Sequence, residues 1–277
     1  MEKKIWLITG ISSGLGKALA QSAMESECFV IGTFRNQSQV DDFNAQNEGN
    51  GFAFKLDITN EIDIQRTVES IISKFGRIDV LVNNAGVGFV GAIEETSMEE
   101  VREVFEANFF GTLKLTQAVL PFMRKERKGN IVQISSHGGI KAFAGFGIYN
   151  ASKFALEGFS EALAQEVEPL GIKVSIIEPG PFRTNFAGNG LGQAESIIDD
   201  YSETAGAFRA KLKGVDGKQE GHPEKAAKAI IDLVYSENPT LRLPLGKVPL
   251  ITIGMKLDSV KSDLETNREI AKNAVFE

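Results

Sequence analysis

The chain has little of what staples, ligates or attracts polyanions. Of its 277 residues one is cysteine, so no intrachain disulfide can form. Cys28 opens the apolar run Cys-Phe-Val-Ile and reads as a buried core thiol. Two histidines, His137 and His222, make no zinc-like cluster with it. Lys and Arg number 30 against 37 Asp and Glu, a net charge of −7. That mild acidity argues against nucleic acid as a partner. No apolar run approaches the roughly 18 residues of a membrane-spanning helix, so no integral membrane segment is expected. The apolar run after the N-terminal lysines is only about five residues and enters a glycine turn, unlike a secretory signal. No linker, repeat or low-complexity tract divides the sequence. The reading is therefore one large α/β domain over 1–277, in a cytoplasmic protein.

Strand-like apolar runs fall near 5–9, 28–33, 51–56, 78–83, 130–135, 172–178 and 241–243. Helical stretches lie between them near 15–26, 37–47, 61–75, 98–124 and 150–168. Several strand runs are apolar throughout, as a parallel sheet covered on both faces requires. Ser97-Met-Glu-Glu100 is a capping-box pattern, and His222-Pro223-Glu224 reads as a helix start. The alternation predicts a Rossmann-type, doubly wound parallel sheet of about seven strands with helices on both faces. The site should lie at the C-terminal strand ends.

The first strand runs directly into Gly10-Ile-Ser-Ser-Gly14-Leu-Gly16 and then a helix. Glycines there permit positive φ, close approach of backbone to a pyrophosphate, and close helix–strand packing. The helix N-terminus offers free N–H groups and a positive dipole end to phosphates. Further on, Tyr149 and Lys153 stand four apart, on one helix face, thirteen residues after Ser136. An ammonium beside a phenol is expected to lower the phenol's pKa from about 10, so that it can pass a proton near neutral pH.

Together these features resemble the short-chain dehydrogenase/reductase family, over roughly residues 4 to 246. Thr9-Gly10-x-x-x-Gly14-x-Gly16 is similar to its cofactor turn, and Asp57 in Lys-Leu-Asp-Ile-Thr to its acidic residue near the adenine. Asn83-Asn84-Ala85-Gly86, Asn108 in Ala-Asn-Phe-Phe-Gly, and Pro179-Gly-Pro-Phe-Arg-Thr184 follow in the family's order. The resemblance implies a catalytic set of Asn108, Ser136, Tyr149 and Lys153. It implies cofactor contacts from Gly10, Ser12, Ser13, Gly14, Leu15, Gly16, Asp57, Ile58, Asn84, Ala85, Gly86, Tyr149, Lys153, Pro179, Gly180, Phe182 and Thr184. It also implies a homodimer or homotetramer, formed through the helices near 98–124 and 150–168.

The second strand ends Thr33-Phe34-Arg35-Asn36. An NAD-preferring site usually has an acid here for the ribose 2′-hydroxyl; this chain has Phe34 and then Arg35. A guanidinium suits a 2′-phosphate, with Ser12, Ser13 and Asn36 as neutral donors, so NADP(H) is expected over NAD(H). The activity expected is interconversion of a carbonyl and an alcohol on a lipophilic small molecule. Ser136 would hold the oxygen, Tyr149 would transfer the proton, and Lys153 would tune Tyr149. The segment 185–221 is expected to cap the substrate, and Phe143, Phe146, Phe182, Phe186 and Phe208 are candidate pocket walls. The C-terminal extension 247–277 is apolar over Val248–Met255, then polar and helical. Alternatives are a non-catalytic NADP(H)-binding sensor on the same fold, and a reductase of carrier-bound acyl chains. A serine hydrolase is excluded: His137 is adjacent to Ser136 and points away from it, and no Gly-x-Ser-x-Gly elbow surrounds the serine.

Overall fold

The first strand, β1 (Ile5–Ile8), has no exposed residue. In a computed structural model, which describes residues 3–186, 188 and 190–276, it lies in the middle of a parallel sheet. Trp6 and Ile8 point into one core layer, Ile5 and Leu7 into the other, which explains an apolar run without alternation. The remaining strands of this sheet are β2 (Phe29–Phe34), β3 (Gly51–Lys55), β4 (Val80–Asn83), β6 (Gly129–Ile134), β7 (Ile172–Pro179) and β9 (Arg242–Leu245). Their order is β3-β2-β1-β4-β6-β7-β9, all pairs parallel. The order reverses between β1 and β4, so a crevice opens at the C-terminal ends of these two strands.

One face is covered by α1 (Gly14–Glu25) and α8 (Pro223–Tyr235), whose Leu19, Ala23, Ala227 and Ile230 meet Trp6, Val30 and Val82. The other is covered by α3 (Glu61–Phe75), α5 (Gly111–Glu126) and α6 (Gly147–Val167), with Ile64, Leu115, Val119 and Leu163 against Leu7, Leu81 and Ile131. The α2 helix (Gln37–Gln46) leaves β2 with Asn36 as its cap.

The helix expected over 98–124 is not continuous. Ser97 and Glu100 form the expected capping box at the start of α4 (Met98–Phe105). A π-helical turn, Glu106–Phe110, then intervenes before α5. The wider turn carries Asn108, whose buried side chain bonds outside its own helix, and π turns of this kind concentrate at functional sites.

A second, two-stranded parallel sheet pairs β5 (Gly88–Val90) with β8 (Leu191–Gln193), and α7 (Ala207–Val215) follows. These short elements had no period to reveal them. Ala187 and Asn189 of the expected capping segment, and Met1, Glu2 and Glu277 of the full span, lie outside the described residues. The C-terminal extension forms α9 (Lys247–Thr266) and α10 (Arg268–Lys272).

Candidate functional site

The glycine turn stands at the sheet's switch point. Gly10 and Gly14 have φ of +68° and +60°, a region that side chains disfavour. A Cβ on Gly16 would come within 2.3 Å of Asn84 Nδ2 and 2.6 Å of the Gly10 carbonyl. The turn is tied to the end of β4: Thr9 Oγ1 accepts from the N–H of Asn84 and of Ala85, both at 3.0 Å. Asn84 Nδ2 donates back to the carbonyls of Thr9 and Gly10. The Asn84 backbone N–H and side-chain nitrogen thus both serve the turn itself. Asn83, buried, bonds Thr116 and Gln133 across the sheet. Thr184 lies against Gly14, so the 179–184 loop reaches over the turn from the end of β7. Ser13 precedes α1 as its cap residue with no side-chain bond to the helix. Leu15 and Ile58 pack their side chains against the core. Asp57 is exposed, and its carboxylate accepts from Thr59 N–H and hydroxyl.

Beyond the turn, Ser12, Arg35, Asn36, Gln37, Gln39 and Lys55 line an open cleft of about 620 Å³. Two cations and no carboxylate face it. Lys55 ends β3 beside Phe34 and was not assigned from the sequence; its register opposite the last residue of β2 is the signal that brings it here. Asn36 Oδ1 is used by Ser38 N–H, which caps α2 and leaves its amide nitrogen as the donor.

Ser136, Tyr149, Lys153 and Asn108 are all buried; Asn108 and Lys153 meet beside Gly86, and Ser136 and Tyr149 beside Gly138. Asn108 Oδ1 accepts from Val87 N–H at 2.8 Å, and Nδ2 donates to the Val87 carbonyl and Ser152 Oγ. A Cβ on Gly86 would meet Asn108 Oδ1 at 2.9 Å and Lys153 Nζ at 3.7 Å. Lys153 Nζ donates to the Ile134 carbonyl at 2.9 Å. Ser136 Oγ accepts from Gly138 N–H at 3.0 Å, leaving its own hydrogen to donate. Asn150, unnoticed in the sequence, holds this corner by donating to the Gly138 carbonyl and accepting from Phe143 N–H.

The expected depression of the Tyr149 phenol is not found. Burial pushes it up to about 12, with the Ser136 hydroxyl acting the other way. Burial likewise takes Lys153 down to about 8, and the Glu157 carboxylate opposes that fall. The ammonium stands 5.9 Å from the centre of the Tyr149 ring, and desolvation is the leading cause of the rise. Glu157, one turn beyond Lys153, is buried and bonded to Arg242. Ser135 sits on this side, close to Glu157 and away from the Ser136 side of the chain. His137 bonds Thr252 of α9 through Nδ1 at 3.1 Å and is held neutral by burial, near 4, with no role as a base toward Ser136.

Four of the five candidate phenylalanines surround Tyr149. Phe146 stacks on its ring at 4.3 Å and Phe186 meets it edge-on at 5.7 Å. Phe208 joins Phe143 and Phe146 from α7. Phe182 departs from the expectation: its ring packs on Gly221. A smaller cleft of about 260 Å³, lined by Val90, Leu191, Gln193, Arg209, Lys213 and Asp216, adjoins this aromatic wall.

α7 is pinned by a buried ion pair. Arg209 Nη2 donates to Glu95 Oε2 at 2.9 Å, and the carboxylate also accepts from Ala92 and Ile198 N–H. Burial raises the Glu95 carboxyl, but these bonds and the guanidinium bring it below the ordinary range. Glu95→Ala leaves Arg209 buried without its counter-charge, a loss of about 3–5 kcal/mol. The expected result is local opening of α7, seen as faster amide exchange over 194–215 and a raised KM, with the sheet's protection unchanged.

The model of the short chain dehydrogenase family matches residues 4–193. The 3-ketodihydrosphingosine reductase of Bacteroides thetaiotaomicron is 42% identical over 256 residues, covering 91% of each chain. Human retinol dehydrogenase 8 is 36% identical over 252 residues, covering 85% of this chain and 79% of its own. The crystal structure of a short-chain dehydrogenase from Streptomyces avermitilis superposes with a TM-score of 0.93 at 42% identity, over 100% of both chains.

Proposed function

Because this chain belongs to the short-chain dehydrogenase family of nicotinamide-dependent oxidoreductases, we propose that it is an NADPH-dependent reductase of lipophilic ketones or aldehydes, working reversibly. The observation that carries the reading is the buried convergence of Ser136, Tyr149, Lys153 and Asn108 beside an aromatic wall. The glycine cradle and the cationic cleft fit a dinucleotide with a 2′-phosphate. Arg35, Lys55, Ser12 and the N-terminus of α2 would hold that phosphate, and Gly10–Gly16 the pyrophosphate. A reduced nicotinamide held there would supply the hydride.

Everything else falls to the protein. Ser136 donates its free hydrogen to the substrate oxygen, and the Tyr149 hydroxyl gives that oxygen its proton. A phenol near 12 is fully protonated at neutral pH, which suits a proton donor. As the proton leaves, the Lys153 ammonium stabilises the forming phenolate. Asn108 positions Val87 and Ser152 around the lysine. The phenylalanines exclude water and favour an apolar substrate. The 3-keto group and long chain of the substrate named for the Bacteroides relative have this chemistry, and a retinoid aldehyde shares it.

The mechanism needs Lys153 charged, so reduction should fall as pH rises through about 8. The Glu157 carboxylate holds that value up. Glu157→Gln should therefore shift the descending limb of kcat to lower pH while keeping the shape and the bond to Arg242. A limb that stays in place separates Glu157 from the lysine. The π turn and α6 carry Phe109, Phe110, Phe154 and Phe159, with Phe110 and Phe154 exposed; this face supports the homo-oligomer expected there. A cytosolic setting suits the reading, with Cys28 a buried free thiol.

A further inference from the structure

α9 begins against the body and then leaves it. Pro249 packs on Gly180, and Thr252 bonds His137. From Leu257 to Phe276 every residue is exposed. A helix without tertiary contacts is marginal in water, and apolar side chains on it call for cover. Ile251 and Met255, near its start, are exposed off the main stripe, but the other apolar side chains have a pattern. Leu250, Ile253, Leu257, Val260 and Leu264 are spaced three, four, three and four apart, the a and d positions of a heptad. Leu250, Leu257 and Leu264 are 65%, 62% and 67% exposed. A 3.5-residue period is the signature of a seam between two helices. The balance of charge argues against a lipid surface, where such a helix is rich in Lys and Arg. α9 carries Lys247, Lys256 and Lys261 against Asp258, Asp263 and Glu265, and the whole chain is acidic.

We propose that α9 pairs antiparallel with the α9 of a second copy of this chain, about a two-fold axis. Antiparallel seams set a against d. Ile253 then meets Leu264 of the second copy, and Leu257 meets its Val260, each twice by symmetry. With Leu250 at a, Lys256 and Asp263 are both g residues. This register sets Lys256 beside Asp263 of the second copy on both flanks. A parallel pair would instead set Lys256 against Lys261, twice. Arg268, beyond the end of α9, is held by its own Glu265 and adds little to the choice. The pairing does not depend on the helices named above for oligomerisation, nor on the proposed activity.

Sedimentation equilibrium of the full chain tests it, with circular dichroism and NADPH binding as checks on the fold. Leu257→Glu with Leu264→Glu, both on exposed positions, should halve the assembly mass. Lys256→Asp alone should weaken association roughly fivefold, Asp263→Lys alone likewise, and the two together should restore it. An unchanged mass for the double leucine variant overturns the proposal. Tighter association of Lys256→Asp alone overturns the antiparallel register. Pelleting with phosphatidylserine vesicles that the leucine variant abolishes, at unchanged mass, assigns the seam to a membrane instead.

Discussion

Tyr149→Phe is expected to lower kcat for carbonyl reduction by about 10²–10⁴-fold, the range of a positioned acid–base group. NADPH affinity and Tm should stay close to the parent's. The ring remains to stack on Phe146 and meet Phe186, so the packing of this wall survives the change. What is lost is the hydroxyl beside Ser136 and the proton it carries. KM should move little, because Ser136 still donates to the substrate oxygen in the ground state. Steady-state kinetics with a nicotinamide fluorescence titration separate the two effects. A variant that keeps more than a tenth of kcat would move the proton donor elsewhere.

The second large effect is on cofactor choice. Arg35→Ala with Lys55→Ala removes both cations of the cleft beside Ser12 and α2. Hydrogen bonds to charged groups are worth about 1.5–3 kcal/mol each. Both side chains are exposed, so the lower end applies and salt weakens it further. NADPH binding should weaken about 100-fold, with NADH binding unchanged within about twofold, and the difference should shrink as ionic strength rises. Equal losses for both cofactors would mean that the cleft shapes the whole nucleotide site and does not read a 2′-phosphate.

The sheet was legible because burial on both faces writes continuous apolar runs, as in Ile5–Ile8, and helices between them carry their own stripes. The candidate site was legible because its parts are local: a glycine turn at one strand end, and a tyrosine and lysine one turn apart. Lys55 was not, because it reaches Arg35 only through the pairing of β2 with β3. Asn150 acts by tying a loop together, and bonds from a side chain to separate backbone groups leave no spacing in the sequence. β5 and β8 are three residues each, too short for a period. The π turn at Asn108 looks helical in its neighbours' spacing, and only the side chain's bonds to Val87 and Ser152 account for it. The Tyr149 phenol was misjudged for a different reason. Spacing gives the lysine's proximity, but the depth of burial, which decides the sign, belongs to the folded protein.

The most direct test is NADPH consumption at 340 nm by the purified protein, offered 3-ketodihydrosphingosine and all-trans-retinal in parallel. Tyr149→Phe serves as the paired control. The account predicts turnover of at least one of these carbonyls, lost in the variant. Tight NADPH binding with no consumption of either would contradict it and leave a cofactor-binding sensor as the reading of this site.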